Sequence, residues 1–97
     1  MVFNIQLTIA QSAPPTLLVH VGAPARAYIS WVDGGNNASN SLHFGGPGLT
    51  INNGFAVNSP SPFEPFIVDV PANDYLYVIN PEAGIGADKL LTMMVVY

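Results

Sequence analysis

Phe3-Asn4-Ile5-Gln6-Leu7-Thr8-Ile9 alternates apolar and polar residues without a break. A period of two puts every second side chain on the same side of an extended backbone. Phe3, Ile5, Leu7 and Ile9 therefore share one face of a strand, and Asn4, Gln6 and Thr8 the other. Gln11-Ser12-Ala13-Pro14-Pro15 ends the alternation, because two consecutive prolines donate nothing to a ladder and hold the chain extended. Residues 1–15 are expected to form a strand and proline-containing arm, set apart from a single β domain over 16–97 and able to cross onto a neighbouring subunit. On that reading, removing residues 1–12 leaves the fold and abolishes partner binding.

Beyond the arm, short β-rich runs at 17–21, 27–32, 42–44, 49–51, 66–70, 75–79 and 90–97 are separated by clusters of Gly, Pro, Asn and Asp. No twelve-residue window carries helical apolar spacing without a Gly or Pro inside it, so no long helix is expected. The fold class is all-β: a small β-sandwich or barrel, jelly-roll-like, with an extended N-terminal strand. Asn52-Asn53-Gly54 predicts a tight hairpin turn between 49–51 and 55–57. Pro71-Ala72-Asn73-Asp74 predicts a type I turn joining 66–70 and 75–79 as paired strands. The run Leu90-Leu91-Thr92-Met93-Met94-Val95-Val96-Tyr97 is apolar at both parities and reads as a central strand covered on both sides.

Composition narrows the function. Asp, Glu, Lys and Arg make up 8% of the 97 residues while 49% are hydrophobic, against about a quarter charged in an ordinary soluble domain. A short, apolar, charge-poor chain buries only part of its surface alone, which favours a subunit of an assembly over a free monomer. Two basic residues against six acidic ones, a net charge of −4, leave no footprint for a phosphate backbone, so nucleic acid is not an expected partner. No segment is long and apolar enough for a membrane-spanning helix, and the first residues lack the basic and apolar regions of a secretory signal. The chain is expected to be made and used without secretion. Without cysteine, stability must come from packing, hydrogen bonds and subunit contacts.

Catalytic constellations are not found. His20 and His43 stand far from one another with no metal-ligand spacing, and local hydrogen bonds account for each. Asp33, Glu64, Asp69, Asp74, Glu82 and Asp88 fall mainly at turns and strand ends rather than as a converging pair. Gly45-Gly46-Pro47-Gly48 lacks the Lys-Ser or Lys-Thr and the helix of a phosphate loop, and no Ser lies in Gly-x-Ser-x-Gly. The expectation is a non-enzyme with no cofactor and no metal. Aromatic residues anchor interfaces as well as cores. Phe3, Ile5, Leu7 and Ile9 of the arm, with Phe63 and Phe66 at the proline-rich segment 58–65, form the candidate partner-binding set. Trp31, Asp33, Asn36 and Asn37 form an alternative aromatic-plus-amide ligand surface.

Leu17-Leu18-Val19, Ala27-Tyr28-Ile29, Gly45-Gly46-Pro47-Gly48-Leu49-Thr50, Asn53-Gly54-Phe55, Phe66-Ile67-Val68-Asp69-Val70-Pro71 and Asp74-Tyr75-Leu76-Tyr77-Val78-Ile79 follow one another in an order that resembles a small β-module of tailed-phage virions. The resemblance covers residues 16–97. The chain departs from the module's usual spacing through the 33–40 loop and the long 60–65 connection. The resemblance implies a capsid decoration, or cement, protein on the virion exterior, made in the host cytoplasm. Such a protein would bind the major capsid protein, as a homotrimer at local three-fold positions. The alternative is a receptor- or carbohydrate-binding module of a tail or fibre, built on the Trp31 surface.

Overall fold

Each strand of the first half of the chain finds its partner in the second half, in reverse order. In the computed structural model, which describes residues 1–33, 41–58, 64–82 and 88–97, the strands are β1 (Val2–Ile9), β2 (Thr16–Val19), β3 (Ala25–Asp33), β4 (Ser41–Gly45), β5 (Phe55–Asn58), β6 (Phe66–Val70), β7 (Leu76–Ile79) and β8 (Lys89–Val96). The antiparallel pairs are β1·β8, β2·β7, β3·β6 and β4·β5. A long hairpin with its bend between β4 and β5 is thus rolled up, and the pairs β3·β8 and β4·β7 seal it. The result is two four-stranded sheets, β1-β8-β3-β6 and β2-β7-β4-β5, the strand order of a jelly-roll sandwich.

Alternation builds the core. Odd-numbered residues of β8 (Leu91, Met93 and Val95) and of β3 (Ala27, Ile29 and Trp31) are buried between the sheets, where they meet Leu18, Val19, Leu42, Phe44, Leu76 and Val78. The accessible surface, 5409 Å², matches the roughly 5,400 Å² of an ordinary monomer of this mass. A shortage of burial therefore does not set this chain apart; the chemistry of what stays exposed does.

Four sequence expectations change. Residues 1–15 are not a detached arm: β1 pairs with β8 over its whole length, from Val2 opposite Val96 to Ile9 opposite Lys89. Ile9 is buried, and Phe3, Ile5 and Leu7 are half-buried against the core, so β1 is part of its own chain's sandwich. Residues 49–51 are not a strand. Thr50 N donates to Asn53 Oδ1 at 2.7 Å while Asn53 Nδ2 donates to Gly48 O at 3.1 Å, and this side-chain clamp replaces the ladder. Leu49 is buried beneath the loop against Gly45 and Gly54, and the hairpin is β4·β5 instead.

The 71–74 turn exists, with Asp74 N donating to Pro71 O at 3.0 Å, but it carries the chain from one sheet to the other, so β6 and β7 are not partners. Asn73 takes a positive φ of 64° there, tolerable for Asn, and its N–H donates to Val21 O at 2.7 Å. Finally, β8 is central but covered on one side only: its burial alternates strictly along the strand, with Leu90, Met94 and Val96 on the outside.

Candidate interaction surface

The outer face of the β1-β8-β3-β6 sheet is built by the even-numbered residues of β1, β8 and β3. Register aligns Val2, Val96, Arg26 and Asp69 in one row, then Asn4, Met94, Tyr28 and Ile67, then Gln6, Thr92 and Ser30, then Thr8, Leu90 and Val32. An antiparallel sheet with a solvated face ordinarily carries polar residues there. Here Val2, Val32, Ile67, Leu90, Met94 and Val96 are 38 to 58% exposed, and together they cross all four strands.

Charge on this face is self-cancelling. Arg26 Nε donates to Asp69 Oδ1 at 2.7 Å and Nη2 to Oδ2 at 3.2 Å, a bidentate pair with both side chains more than half exposed. The hydrogen bond from Arg26 holds the Asp69 carboxyl below its usual range. The bonds to Asp69 and then Tyr28 raise the Arg26 guanidinium further above its own. Beside the pair, Pro24, Ala25, Val70, Pro71 and Val96 complete a shallow, mostly apolar depression of about 310 Å³.

The residues singled out in the sequence fall elsewhere. Of the β1 set, Ile9 is buried in the core, and Phe3, Ile5 and Leu7 are half-buried on the inner side of the sheet and pack against it. Phe66 is half-buried, its ring 4.9 Å from Phe44 and 6.5 Å from the exposed Phe55. Phe63 lies outside the described residues. Trp31 is 3% exposed and packs 5.6 Å from Phe44, so it is a core residue and offers no stacking face to a ligand. Asn36 and Asn37 lie outside the described residues, and Asp33 ends β3 in register with Lys89.

No family, no curated protein and no solved structure matches this chain.

Several of the remaining polar groups hold the fold together. His20 stacks on Tyr75 at 4.0 Å with Nδ1 3.1 Å from Asp74 O, and Tyr77 lies on from Tyr75 at 6.2 Å. Buried Asn80 donates from Nδ2 to Ile9 O and accepts from Glu82 N at Oδ1, both at 3.0 Å, tying the end of β1 to the end of β7. His43 is half-buried on β4, its Nδ1 buried without a hydrogen-bond partner among the described residues. Among the described residues no three His, Cys, Asp or Glu side chains are grouped to hold a metal ion. Sequence reading missed the outer face because it assigned both parities of β8 to the interior. Lys89 adds to this: it is the only charged residue of β8, yet it is fully buried on the parity of Leu91, Met93 and Val95.

Proposed function

We propose that this chain is a non-catalytic structural protein that docks on the surface of a protein lattice, and specifically a decoration protein on the exterior of a phage capsid with the major capsid protein as partner. The observation that carries the reading is the exposed apolar surface on the outer face of the β1-β8-β3-β6 sheet: Val2, Val96, Met94, Tyr28 and Ile67 adjoin one another across all four strands, and Leu90 and Val32 form a second group beyond the Gln6-Thr92-Ser30 row. Exposed apolar residues joined across several strands mark contact surfaces rather than chance exposure. The only charges in its rows, Arg26 and Asp69, neutralise each other, so such a face can be dehydrated without stranding an unpaired ion.

The jelly roll supports this at the level of architecture alone, being used in viral shells and in lectins alike. The lattice specificity comes from the sequence resemblance. A protein that binds only the assembled lattice stabilises it by mass action, by about 3 to 4 kcal/mol per site at 100 to 1,000 times Kd.

The test is co-sedimentation of the purified chain with mature particles of its source, native and as the Leu90→Lys/Met94→Lys double variant. Both positions point away from the core, so the variant keeps the fold. The native chain is expected to pellet with particles and the variant to stay in the supernatant. Equal pelleting of both refutes docking through this face.

A further inference from the structure

The four sheet edges are not alike. β6 has five residues, carries Asp69 and is followed by Pro71; β2 has four, a register irregularity between Leu17 and Val19, and Pro14-Pro15 before it; β5 has four. These are the usual devices against edge-to-edge pairing: short length, charge, proline and bulges. β1 has none of them. It reads Val-Phe-Asn-Ile-Gln-Leu-Thr-Ile, eight residues in unbroken register with β8, without charge, glycine or proline.

Hydrogen-bond parity says which groups that edge presents. Tyr97 N donates to Met1 O at 2.9 Å and Met1 N donates to Tyr97 O, so residues 1 and 97 form a hydrogen-bonded pair. The alternation of an antiparallel ladder then directs Phe3, Ile5, Leu7 and Ile9 toward β8, and leaves the N–H and C=O groups of Val2, Asn4, Gln6 and Thr8 pointing away from the sheet.

We propose that this edge pairs with the same edge of a second copy, antiparallel about a two-fold axis through Ile5. The register follows from the strand itself. Val2 opposite Thr8 of the second copy, and Asn4 opposite its Gln6, join outward-facing groups in hydrogen-bonded pairs and use all four residues on each side. The same register sets Phe3 opposite Leu7 and Ile5 opposite Ile5 in non-hydrogen-bonded pairs, so the half-buried apolar side chains of the two cores meet. Asn4 and Gln6 amides meet on the outer face. Because β1 carries no charge, no like charges are opposed anywhere along the contact. The product is an eight-stranded sheet, β6-β3-β8-β1 continued by its two-fold copy, and it does not depend on what the outer face binds.

The chain has no cysteine, which makes the register directly readable. Ile5→Cys places two thiols at a non-hydrogen-bonded site, with Cα atoms about 4.5 Å apart, within disulfide reach. Thr8→Cys is more exposed, yet in this register it faces Val2 of the other copy rather than itself. Under mild oxidation Ile5→Cys is expected to form a disulfide-linked species of twice the monomer mass at least about tenfold faster than Thr8→Cys. Gln6→Pro removes one outward donor and leaves the β8 ladder intact, a position where proline is tolerated. Added to Ile5→Cys, it is expected to slow cross-linking to the Thr8→Cys rate with the far-ultraviolet circular dichroism unchanged. Equal rates for Ile5→Cys and Thr8→Cys, indifference to Gln6→Pro, or a native trimer in sedimentation velocity overturns the proposal.

Discussion

Leu90 and Leu91 are adjacent, chemically identical and on the same strand, and the structure assigns them opposite fates. Leu91 is fully buried, in register between Leu7 and Trp31; Leu90 is 41% exposed, in register between Thr8 and Val32. Leu91→Ala removes a side chain from the centre of the sandwich, a change that costs about 3 to 4 kcal/mol through lost transfer energy and the cavity left behind. In a domain this size that is a large fraction of a total of roughly 5 to 15 kcal/mol, and it lowers Tm by roughly 15 to 30 °C. Leu90→Ala gives up only partly buried surface with no cavity to leave, and costs below about 1 kcal/mol. Urea unfolding of the two variants at low micromolar concentration, with the m-value fixed by the native chain, measures both. A Leu90→Ala cost equal to that of Leu91→Ala would refute the argument, because the outer face would then be interior and no docking surface would remain.

The other predictions concern the strand ends, the loops and the ion pair. Deleting residues 1–9 removes a fully paired edge strand together with Ile9 from the core, so the truncated chain is expected to lose its β circular dichroism rather than remain folded without a partner. Asn80→Ala leaves Ile9 O and Glu82 N without their present partner and is expected to cost about 1 to 3 kcal/mol in chemical denaturation. In Gly54→Ala the new Cβ lies 2.7 Å from Leu49 Cδ1 and 2.8 Å from His43 Cβ; a loss of about 1 to 3 kcal/mol is expected, and a neutral result would mean that the loop yields freely. Asp69 titrates below its usual range when folded because of Arg26. Its contribution is therefore present above about pH 4 and lost as pH falls through the lowered value. Asp69→Asn should flatten that acid limb in a pH series of unfolding midpoints, and only slightly, since both partners are largely exposed.

Period-two alternation made the first strand legible, and turn residues located most of the others: residues 66–70 were bounded as the structure has them, and β3 and β8 within one or two residues at each end. What sequence could not supply was which strands share a sheet. A turn such as 71–74 looks the same whether it joins partners or carries the chain across the sandwich; the hydrogen bond from Asn73 N to Val21 O, far back along the chain, belongs to tertiary structure. Residues 49–51 have strand composition, but the Asn53 side chain captures the backbone at Gly48 and Thr50. The arm expectation failed because Pro14-Pro15 interrupts only local structure; the partner of β1 is β8, at the opposite end of the sequence. The same nesting explains why the outer face went unseen. Leu90, Met94 and Val96 look like core until register aligns them with Asn4, Thr8 and Arg26 on an uncovered side.

The central claim, attachment to a capsid lattice, is tested most directly by the number of copies of this chain relative to the most abundant shell protein in gradient-purified particles of its source, counted by quantitative mass spectrometry. Lattice-wide decoration predicts a ratio near one, whereas absence of the chain from particles would contradict the account.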